Sequence, residues 1–316
     1  MDLVLGAAGH IGFNLVRALC SQGRKVRCAL HEDRRAFESA ALDVERVNVD
    51  LFDRASLVSA CDGVDIVYNA AGYISVYSSR QERQRLYDVN VLGARNVAEA
   101  CRACRVRRLV HFSSATALFG HRIEAALSGS NLPGYAQSKA RGEHEVKVGI
   151  QKGLDAVILN PTAVIGPYDY RGSLPNRGLM LIASGRLPAL VSGGVDWIDV
   201  RDVAAMATFA AEKGESGRNY ILSGHWLSMK AMAGLVQAHT GVALPSVNCP
   251  LWMVRGFAVL AEHCCRLFGW QPLLSSGALE HLTSGPWVFP DTAMRLPCHV
   301  RPLQETIADT IAWCHL

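Results

Sequence analysis

Apolar runs alternate with amphipathic segments along the first half of the chain. Leu3-Val4-Leu5 is a short apolar run, and Phe13 to Leu19 continues with apolar residues at helical spacing until Gly23. A second apolar run spans Lys25 to Leu30, and the alternation continues to about Leu159. Because strand-like and helix-like segments take turns, the pattern predicts an α/β fold with a parallel, doubly wound sheet.

The regular alternation ends after Gly166, and the residues from about Ser223 onward are mostly helical in pattern. We therefore predict a larger domain over residues 1–165, completed by about 196–222, and a smaller, mostly helical C-terminal domain built from 166–195 and 223–316. The smaller domain is expected to bind the substrate over the carboxyl ends of the strands, where open α/β sheets bind ligands.

A glycine-rich segment, Gly6-Ala7-Ala8-Gly9-His10-Ile11-Gly12, follows the first apolar run directly. Glycine triplets also mark ordinary turns, but here a strand precedes the triplet and a helix follows it, as in a Rossmann-type βαβ unit. In such a unit the glycines let the backbone approach a pyrophosphate at the helix N-terminus. The dinucleotide-binding residues predicted from this loop are Gly6, Ala8, Gly9, His10, Ile11 and Gly12.

Tyr135 and Lys139 are four residues apart, so a helix places them on one face. A phenol titrates at ~10, and a nearby cation lowers that pKa, which makes tyrosine usable as a general acid or base. The same spacing also occurs on surface helices without any catalytic role. The glycine loop in the same half of the chain favours the catalytic interpretation.

Together these motifs resemble those of the extended short-chain dehydrogenases/reductases, in the NAD-dependent epimerase/dehydratase family. Further matches follow in the family's order over essentially the whole chain: Asp50-Leu51, Asn69-Ala70-Ala71-Gly72, Asn90-Val91-Leu92-Gly93, Ser113-Ser114, Asn160-Pro161-Thr162 and Asp196 to Asp202. Within the family, the chain is most similar to bacterial proteins like dihydroflavonol 4-reductases. The 3β-hydroxysteroid dehydrogenase-like and hopanoid-associated sugar epimerase-like proteins are near relatives.

The resemblance implies hydride transfer between a nicotinamide cofactor and a ketone or secondary alcohol. Tyr135 is expected to act as the general acid or base, and Lys139 to bind the nicotinamide ribose and lower the pKa of Tyr135. Ser114 is expected to polarise the carbonyl, with Thr116 able to share that role, and Asn90 to organise the site. Further cofactor contacts carry over to Asp50, Leu51, Ala70, Ala71, Gly72, Ser113, Pro161, Thr162, Ala163 and Val164.

Three functional hypotheses remain open. A reductase acting on a bulky, largely apolar molecule is the first. A sugar-nucleotide epimerase, which uses the same tyrosine and lysine with transient hydride transfer, is the second, and a non-catalytic NADP-binding regulator is the third. Dehydration is disfavoured, because Ala115-Thr116 stands where related sugar dehydratases carry an Asp-Glu pair.

NADP is favoured over NAD by the residues that follow the second apolar run. His31 occupies the position where an NAD-preferring site carries an acidic residue, and Arg34 and Arg35 come directly after it. With His10, these side chains are expected to form a cationic seat for the 2′-phosphate of NADPH. The alternative is a solvated helix start, in which Glu32-Asp33 offsets the two arginines.

A small-molecule substrate that is bulky and largely apolar is predicted from aromatic residues in the loops. Tyr73 and Tyr168 are expected to contact it together with Thr116, and Tyr77 and Tyr170 lie in the same two loops. Tyrosine offers an apolar ring with a polar tip, which suits a polycyclic substrate that carries oxygens. The same rings could instead be rim residues without any substrate contact.

Composition excludes several other classes. The net charge of +4, from 32 basic and 28 acidic residues, is too balanced for a nucleic-acid partner. The first strand begins at Asp2, which leaves no room for a signal peptide, so ten cysteines indicate reduced thiols and a cytoplasmic location. Cys101 and Cys104 are expected to pack within a helix and not to bind a metal. Trp252 to Trp270 is predicted as an amphipathic helix and not as an integral membrane segment.

A homodimer is implied by the resemblance, through the helices that carry Asn90 and Tyr135. Apolar or small residues support such an interface: Val89, Leu92, Ala100, Ala103, Ala136, Ala140 and Val146. The alternative is that these faces pack on the sheet of the same chain and leave a monomer.

Overall fold

The structure is a computed structural model, and it describes residues 1–30, 42–75, 79–118, 134–245, 248–249, 252–254, 256–257 and 293–314. Its strands are β1 (Asp2–Leu5), β2 (Val26–Leu30), β3 (Glu45–Asn48), β4 (Ile66–Asn69), β5 (Arg108–Phe112), β6 (Ala156–Pro161), β7 (Ala163–Ile165), β8 (Leu190–Val191), β9 (Gly194–Asp199), β10 (Asn219–Leu222), β11 (His225–Ser228), β12 (Asn248–Cys249) and β13 (Ala293–Arg295).

The helices of the described residues are α1 (His10–Ser21), α2 (Arg54–Cys61), α3 (Arg80–Tyr87), α4 (Gly93–Ala103), α5 (Tyr135–Gln151), α6 (Leu174–Ala183), α7 (Val200–Lys213), α8 (Met229–Thr240) and α9 (Leu303–Cys314). A π-helical turn, Asp88–Leu92, joins α3 to α4, and a 3₁₀ turn, Ala115–Leu118, follows β5. No helix of the described part of the chain is long and apolar enough to cross a membrane.

A parallel sheet forms the centre of the molecule. Its strand order is β10-β6-β5-β4-β1-β2-β3, and the short strand β13 adds an eighth strand beside β10. Crossing from β4 to β1 reverses the direction in which the chain adds strands, which is the switch point where open α/β sheets bind ligands. The predicted doubly wound, Rossmann-type fold is therefore confirmed.

Both faces of the sheet are covered, because successive strand residues point to opposite sides. On one face, Val4 and Val110 pack with Phe13 of α1 and Val203 of α7. On the other, Leu3, Leu109 and Ile158 pack with residues of α4 and α5, which include Val97, Ala100 and Val146. Two positions expected at a dimer interface, Ala100 and Val146, are thus fully buried inside the chain.

A smaller region has a core of its own. Strands β7 and β9 pair in parallel, β11 pairs antiparallel with β9, and α6, α8 and α9 share a third hydrophobic cluster with them. Strand β9 therefore lies in this small sheet, and the chain returns to the main sheet through α7 and β10. The domain boundaries that we expected at 165, 196 and 222 stay predictions. Most of Trp252 to Trp270 lies outside the described residues.

Candidate active site

The glycine loop has no room for a side chain at Gly6 or Gly12. Gly6 has a φ of +73°, and a Cβ there would lie 2.6 Å from the backbone nitrogen of Ala71. A Cβ on Gly12 would lie 2.2 Å from the carbonyl oxygen of Gly6. The loop is therefore fixed against the segment Ala70-Ala71 after β4, and Ala8 is buried within it.

Helix α1 begins within this loop at His10, with Gly9 as its N-cap. Among the described residues no side chain caps the helix, and its first turn carries no acidic residue. Unpaired backbone N–H groups and the helix dipole attract an anion to such an end. The loop, the open helix end and the neighbouring Ala70-Ala71 backbone fit the pyrophosphate of a dinucleotide.

His10 lies beside Gly166 and Asp169. Its Nε2 lies 3.2 Å from the carbonyl oxygen of Gly166, and its Nδ1 lies 4.0 Å from Asp169. Burial lowers the pKa of His10, against the opposing effect of Asp169. The contribution of His10 to a cationic seat for the 2′-phosphate stays a prediction. His31, Arg34 and Arg35 lie outside the described residues.

Lys139 is buried on α5, one turn after Tyr135. Its Nζ donates a hydrogen bond to the carbonyl oxygen of Phe112 at 3.1 Å. Burial lowers the pKa of Lys139 to about 8, and Glu143 acts in the opposite direction. A Cβ on Gly72 would lie 2.9 Å from Nζ. The ammonium group can therefore occupy this position because residue 72 has no side chain.

Tyr135 is the first residue of α5, and its side chain neighbours Ser114. Burial raises the pKa of Tyr135, and the neighbouring Ser114 hydroxyl opposes the rise. The ammonium group of Lys139 donates to the backbone of β5, and its expected lowering of the Tyr135 pKa stays a prediction. The structure nevertheless brings the predicted phenol, hydroxyl and ammonium groups to one end of β5.

The side chains of Ser114 and Thr116 are hydrogen-bonded to each other, whereas the Ser113 hydroxyl has no partner among the described residues. The Thr116 hydroxyl and backbone nitrogen donate to Ser114 Oγ at 2.9 and 3.3 Å, within the 3₁₀ turn after β5. Ser113 Oγ is buried and has no hydrogen-bond partner among the described residues. An unpaired buried hydroxyl costs roughly 1–3 kcal/mol. Ser113 is therefore suited to donate to a bound cofactor, as the sequence predicts.

Asn90 connects three parts of the site from the π-helical turn. Its side chain donates to Tyr73 O and to Ser138 Oγ, both at 2.9 Å, and accepts from Tyr73 N at 2.9 Å. A Cβ on Gly142 would lie 2.3 Å from the carbonyl oxygen of Asn90, so α5 approaches the turn closely. Such π-helical insertions are common at functional sites. Asn90 thus joins the Tyr73 loop to the helix that carries Tyr135.

Tyr168 packs between helices in this structure. Arg17 lies 3.8 Å from the centre of its ring and donates to its hydroxyl at 3.1 Å. Its ring centre is 6.2 Å from that of Phe13 and 6.1 Å from that of Trp313. These contacts favour a structural role for Tyr168 over the predicted substrate contact. Tyr73 donates its hydroxyl to Glu82 at 2.7 Å, and Tyr77 lies outside the described residues.

The other predicted cofactor residues lie at strand ends. Asp50 caps the turn after β3 by accepting from the backbone nitrogen of Phe52, and Leu51 O accepts from Asn96. Pro161 ends β6, and Thr162 donates its hydroxyl to Asp196 at 2.7 Å. Ala163 and Val164 form β7 beside β9. Their cofactor contacts stay predictions.

A buried polar group beneath Lys139 was missed from the sequence. Glu143, one turn further along α5, accepts hydrogen bonds from Asn160 of β6 and Asn219 of β10. His111 of β5 pairs with Asn69 at 3.2 Å, and burial together with the Lys139 charge lowers its pKa to about 3. The only available signal was the spacing of Glu143 from Lys139, since its partners lie far away along the chain.

Comparisons with known proteins agree with this geometry. The sequence model of the NAD dependent epimerase/dehydratase family matches residues 3–223. Sterol demethylase protein B of Methylococcus capsulatus is 38% identical over 84% of this chain and 82% of its own length. The 2-alkyl-3-oxoalkanoate reductase of Stenotrophomonas maltophilia is 30% identical over 93% of this chain and 92% of its own. The crystal structure of gox2253 superposes with a TM-score of 0.80 at 27% identity, over 100% of this chain and 98% of that one.

Proposed function

The chain belongs to the NAD dependent epimerase/dehydratase family and is an oxidoreductase, and from this premise we propose its reaction and its substrate class. It transfers hydride between NADP and a ketone or secondary alcohol on a bulky, largely apolar molecule. The observation that carries this proposal is that Tyr135 at the start of α5 neighbours Ser114 at the end of β5, where the buried ammonium group of Lys139 donates to the carbonyl oxygen of Phe112.

The nicotinamide, when bound, supplies hydride in the reductive direction and accepts it in oxidation. In reduction, Tyr135 donates its phenolic proton to the carbonyl oxygen of the substrate, and in oxidation it accepts a proton from the alcohol. Ser114 donates a hydrogen bond to the reacting oxygen, and Thr116 holds the Ser114 hydroxyl in place. Lys139 binds the nicotinamide ribose, and the Ser113 hydroxyl, which has no partner in the described part of the chain, donates to the cofactor.

NADP is the proposed cofactor in preference to NAD. The support is the sequence His31 to Arg35, where no acidic residue follows the second strand immediately and two arginines are close. Arginine recognises phosphate through a planar set of donors, whereas an acidic residue would repel the 2′-phosphate. Burial lowers the pKa of His10, so Arg34 and Arg35 are the main candidates for the charge. Comparing kcat/KM for NADPH and NADH at neutral pH tests this, and a preference for NADH contradicts it.

A sterol-like ketone or alcohol is the substrate class that we favour. Sterol demethylase protein B covers most of this chain at 38% identity, and the reductase of Stenotrophomonas maltophilia is named for an alkyl oxoalkanoate. Both names denote largely apolar molecules. The hydroxyl of the loop residue Tyr73 is hydrogen-bonded to Glu82. Its aromatic ring can contact such an apolar substrate.

The experiment is an incubation of the protein with NADPH and a panel of sterol ketones, alkyl oxoacids and nucleotide sugars. Net oxidation of NADPH with a sterol ketone or alkyl oxoacid supports the proposal. Turnover of a nucleotide sugar without net cofactor consumption would instead identify an epimerase. Cofactor binding without turnover of any compound would identify a regulator.

A further inference from the structure

Glu143 is a buried carboxylate at the centre of a hydrogen-bonded network. It lies one helical turn beyond Lys139, and only 5% of the residue is exposed. One carboxylate oxygen accepts from Asn160 at 2.6 Å and the other from Asn219 at 2.9 Å. Asn219 also donates to the side-chain oxygen of Asn160 at 2.9 Å. A charge is buried in this way only where hydrogen bonds and a countercharge compensate its lost solvation.

The network reaches the catalytic end of β5 through Asn160. The second amide hydrogen of Asn160 is donated to the carbonyl oxygen of Ser114 at 3.0 Å. The same carboxylate therefore holds β6, β10 and the backbone of Ser114 in register beneath α5. A shift of Glu143 would be passed to Ser114 through a single side chain.

Glu143 also acts on Lys139 through charge. Its effect on Lys139 opposes the loss of solvation. The titratable group that faces Lys139 from β5 is His111, which is neutral because burial holds its pKa at about 3. Lys147, on the same helix and half exposed, lies 3.9 Å from Glu143. Glu143 is thus the group that favours a charged Lys139.

We propose that Glu143 is a positioning residue that fixes the backbone of Ser114 through Asn160 and Asn219 and holds a negative charge one helical turn from Lys139. The role rests on the proposed function, because it concerns the same phenol, hydroxyl and ammonium groups. Asn160 and Asn219 belong to this network because they donate hydrogen bonds to the Glu143 carboxylate without transferring a charge to it.

Glu143→Gln tests the electrostatic part. Removal of the negative charge lets Lys139 lose its proton at lower pH, so the loss of kcat/KM grows as the pH rises. In the pH profile of kcat/KM, the alkaline limb is the decline at high pH. If the pKa that governs this limb falls by one unit, kcat/KM falls by about tenfold at a pH within the decline. Glu145→Gln is the matched control, because Glu145 lies on the same helix and pairs with Arg95 of α4 at 2.8 Å. An unshifted limb in Glu143→Gln, or an equal shift in the control, overturns the proposal.

A double variant covers the case in which Glu143→Gln does not fold. Glu143→Gln with Asn219→Asp keeps the hydrogen bond between these two side chains with donor and acceptor exchanged, loses the hydrogen bond from residue 219 to Asn160, and moves the carboxylate to β10. That strand is two strands away from β5, whose Phe112 carbonyl binds Lys139. The alkaline limb of the double variant is expected below that of the wild type, and an identical limb overturns the proposal.

A titration without substrate separates this proposal from the proposed function. The protonation of Lys139 is followed by NMR in protein with isotope-labelled lysine, and its signal is assigned with Lys139→Arg. A lower midpoint in Glu143→Gln than in the wild type supports the role of Glu143 even if no ketone is turned over. Equal midpoints contradict it, whatever the reaction is.

Discussion

Burial controls the ionisation of the side chains around Tyr135. It raises the pKa of Tyr135, lowers that of Lys139 to about 8, and holds His111 neutral with a pKa of about 3. Each shift disfavours the charged form, as expected for groups removed from water. Lys139 therefore remains mostly protonated at neutral pH, beside a neutral imidazole and a neutral phenol.

The reaction is expected to fall off on the alkaline side as Lys139 loses its proton. Its pKa lies below the ordinary value, and the cationic form binds the ribose, so activity is complete below about pH 8 and declines as the pH rises through it. The measurement is kcat/KM and NADPH affinity across this range. Activity and affinity that both stay flat would contradict the role of Lys139.

Gly72→Ala is expected to reduce activity more than stability. The new Cβ would lie 2.9 Å from Lys139 Nζ, and the flexible end of a lysine moves more readily than a backbone. The ammonium group is then displaced from Phe112 O, and kcat/KM falls while the thermal midpoint changes little. Gly234→Ala is the control, since a Cβ there meets nothing within 4 Å. Wild-type activity in Gly72→Ala would show that the position of the ammonium group does not matter.

At the scale of elements, the site depends on the contact between α5 and the π-helical turn. Gly142 allows α5 to touch the backbone of Asn90, and Asn90 in turn holds the backbone of Tyr73. A helix with a larger residue at 142 could not approach so closely. The relative position of Tyr135 and the Tyr73 loop is therefore set by a glycine and an asparagine that lie outside the reacting groups.

Gly142→Ala is expected to destabilise the protein, because its Cβ would lie 2.3 Å from a backbone oxygen that cannot rotate away. Overpacking of this kind typically costs about 1–3 kcal/mol. Gly178→Ala, within α6 and with open space around its Cβ, is expected to leave stability unchanged or to raise it slightly. Chemical denaturation of both variants measures the difference. Equal stabilities would refute the close contact.

At the scale of the whole molecule, sequence patterns predict what is local and miss what is distant. The glycine loop between a strand and a helix, the doubly wound parallel sheet and the placement of Tyr135 and Lys139 on one helix follow from patterns along the chain. The contacts of His10 do not, because Gly166 and Asp169 lie more than 150 residues away along the chain. Tyr168 likewise packs on Arg17 and Trp313, and Glu143 finds its partners on β6 and β10.

That two chains form a homodimer stays a prediction. Ala100 and Val146 are used inside the chain, so the remaining positions, such as Leu92 and Ala136, would have to form the interface. Light scattering at micromolar concentration is expected to give twice the mass of one 34.2 kDa chain. The mass of a single chain, with activity intact, would contradict the dimer.

The turnover of Tyr135→Phe tests the central claim most directly. Loss of the phenolic proton donor is expected to lower kcat by about 10²–10⁴-fold while NADPH still binds, because general acid catalysis typically contributes that much. Tyr220→Phe is the matched control, since its hydroxyl accepts only from the backbone nitrogen of Glu215 at 2.8 Å among the described residues. A fall of less than about tenfold in Tyr135→Phe would contradict the assignment of Tyr135 as the acid.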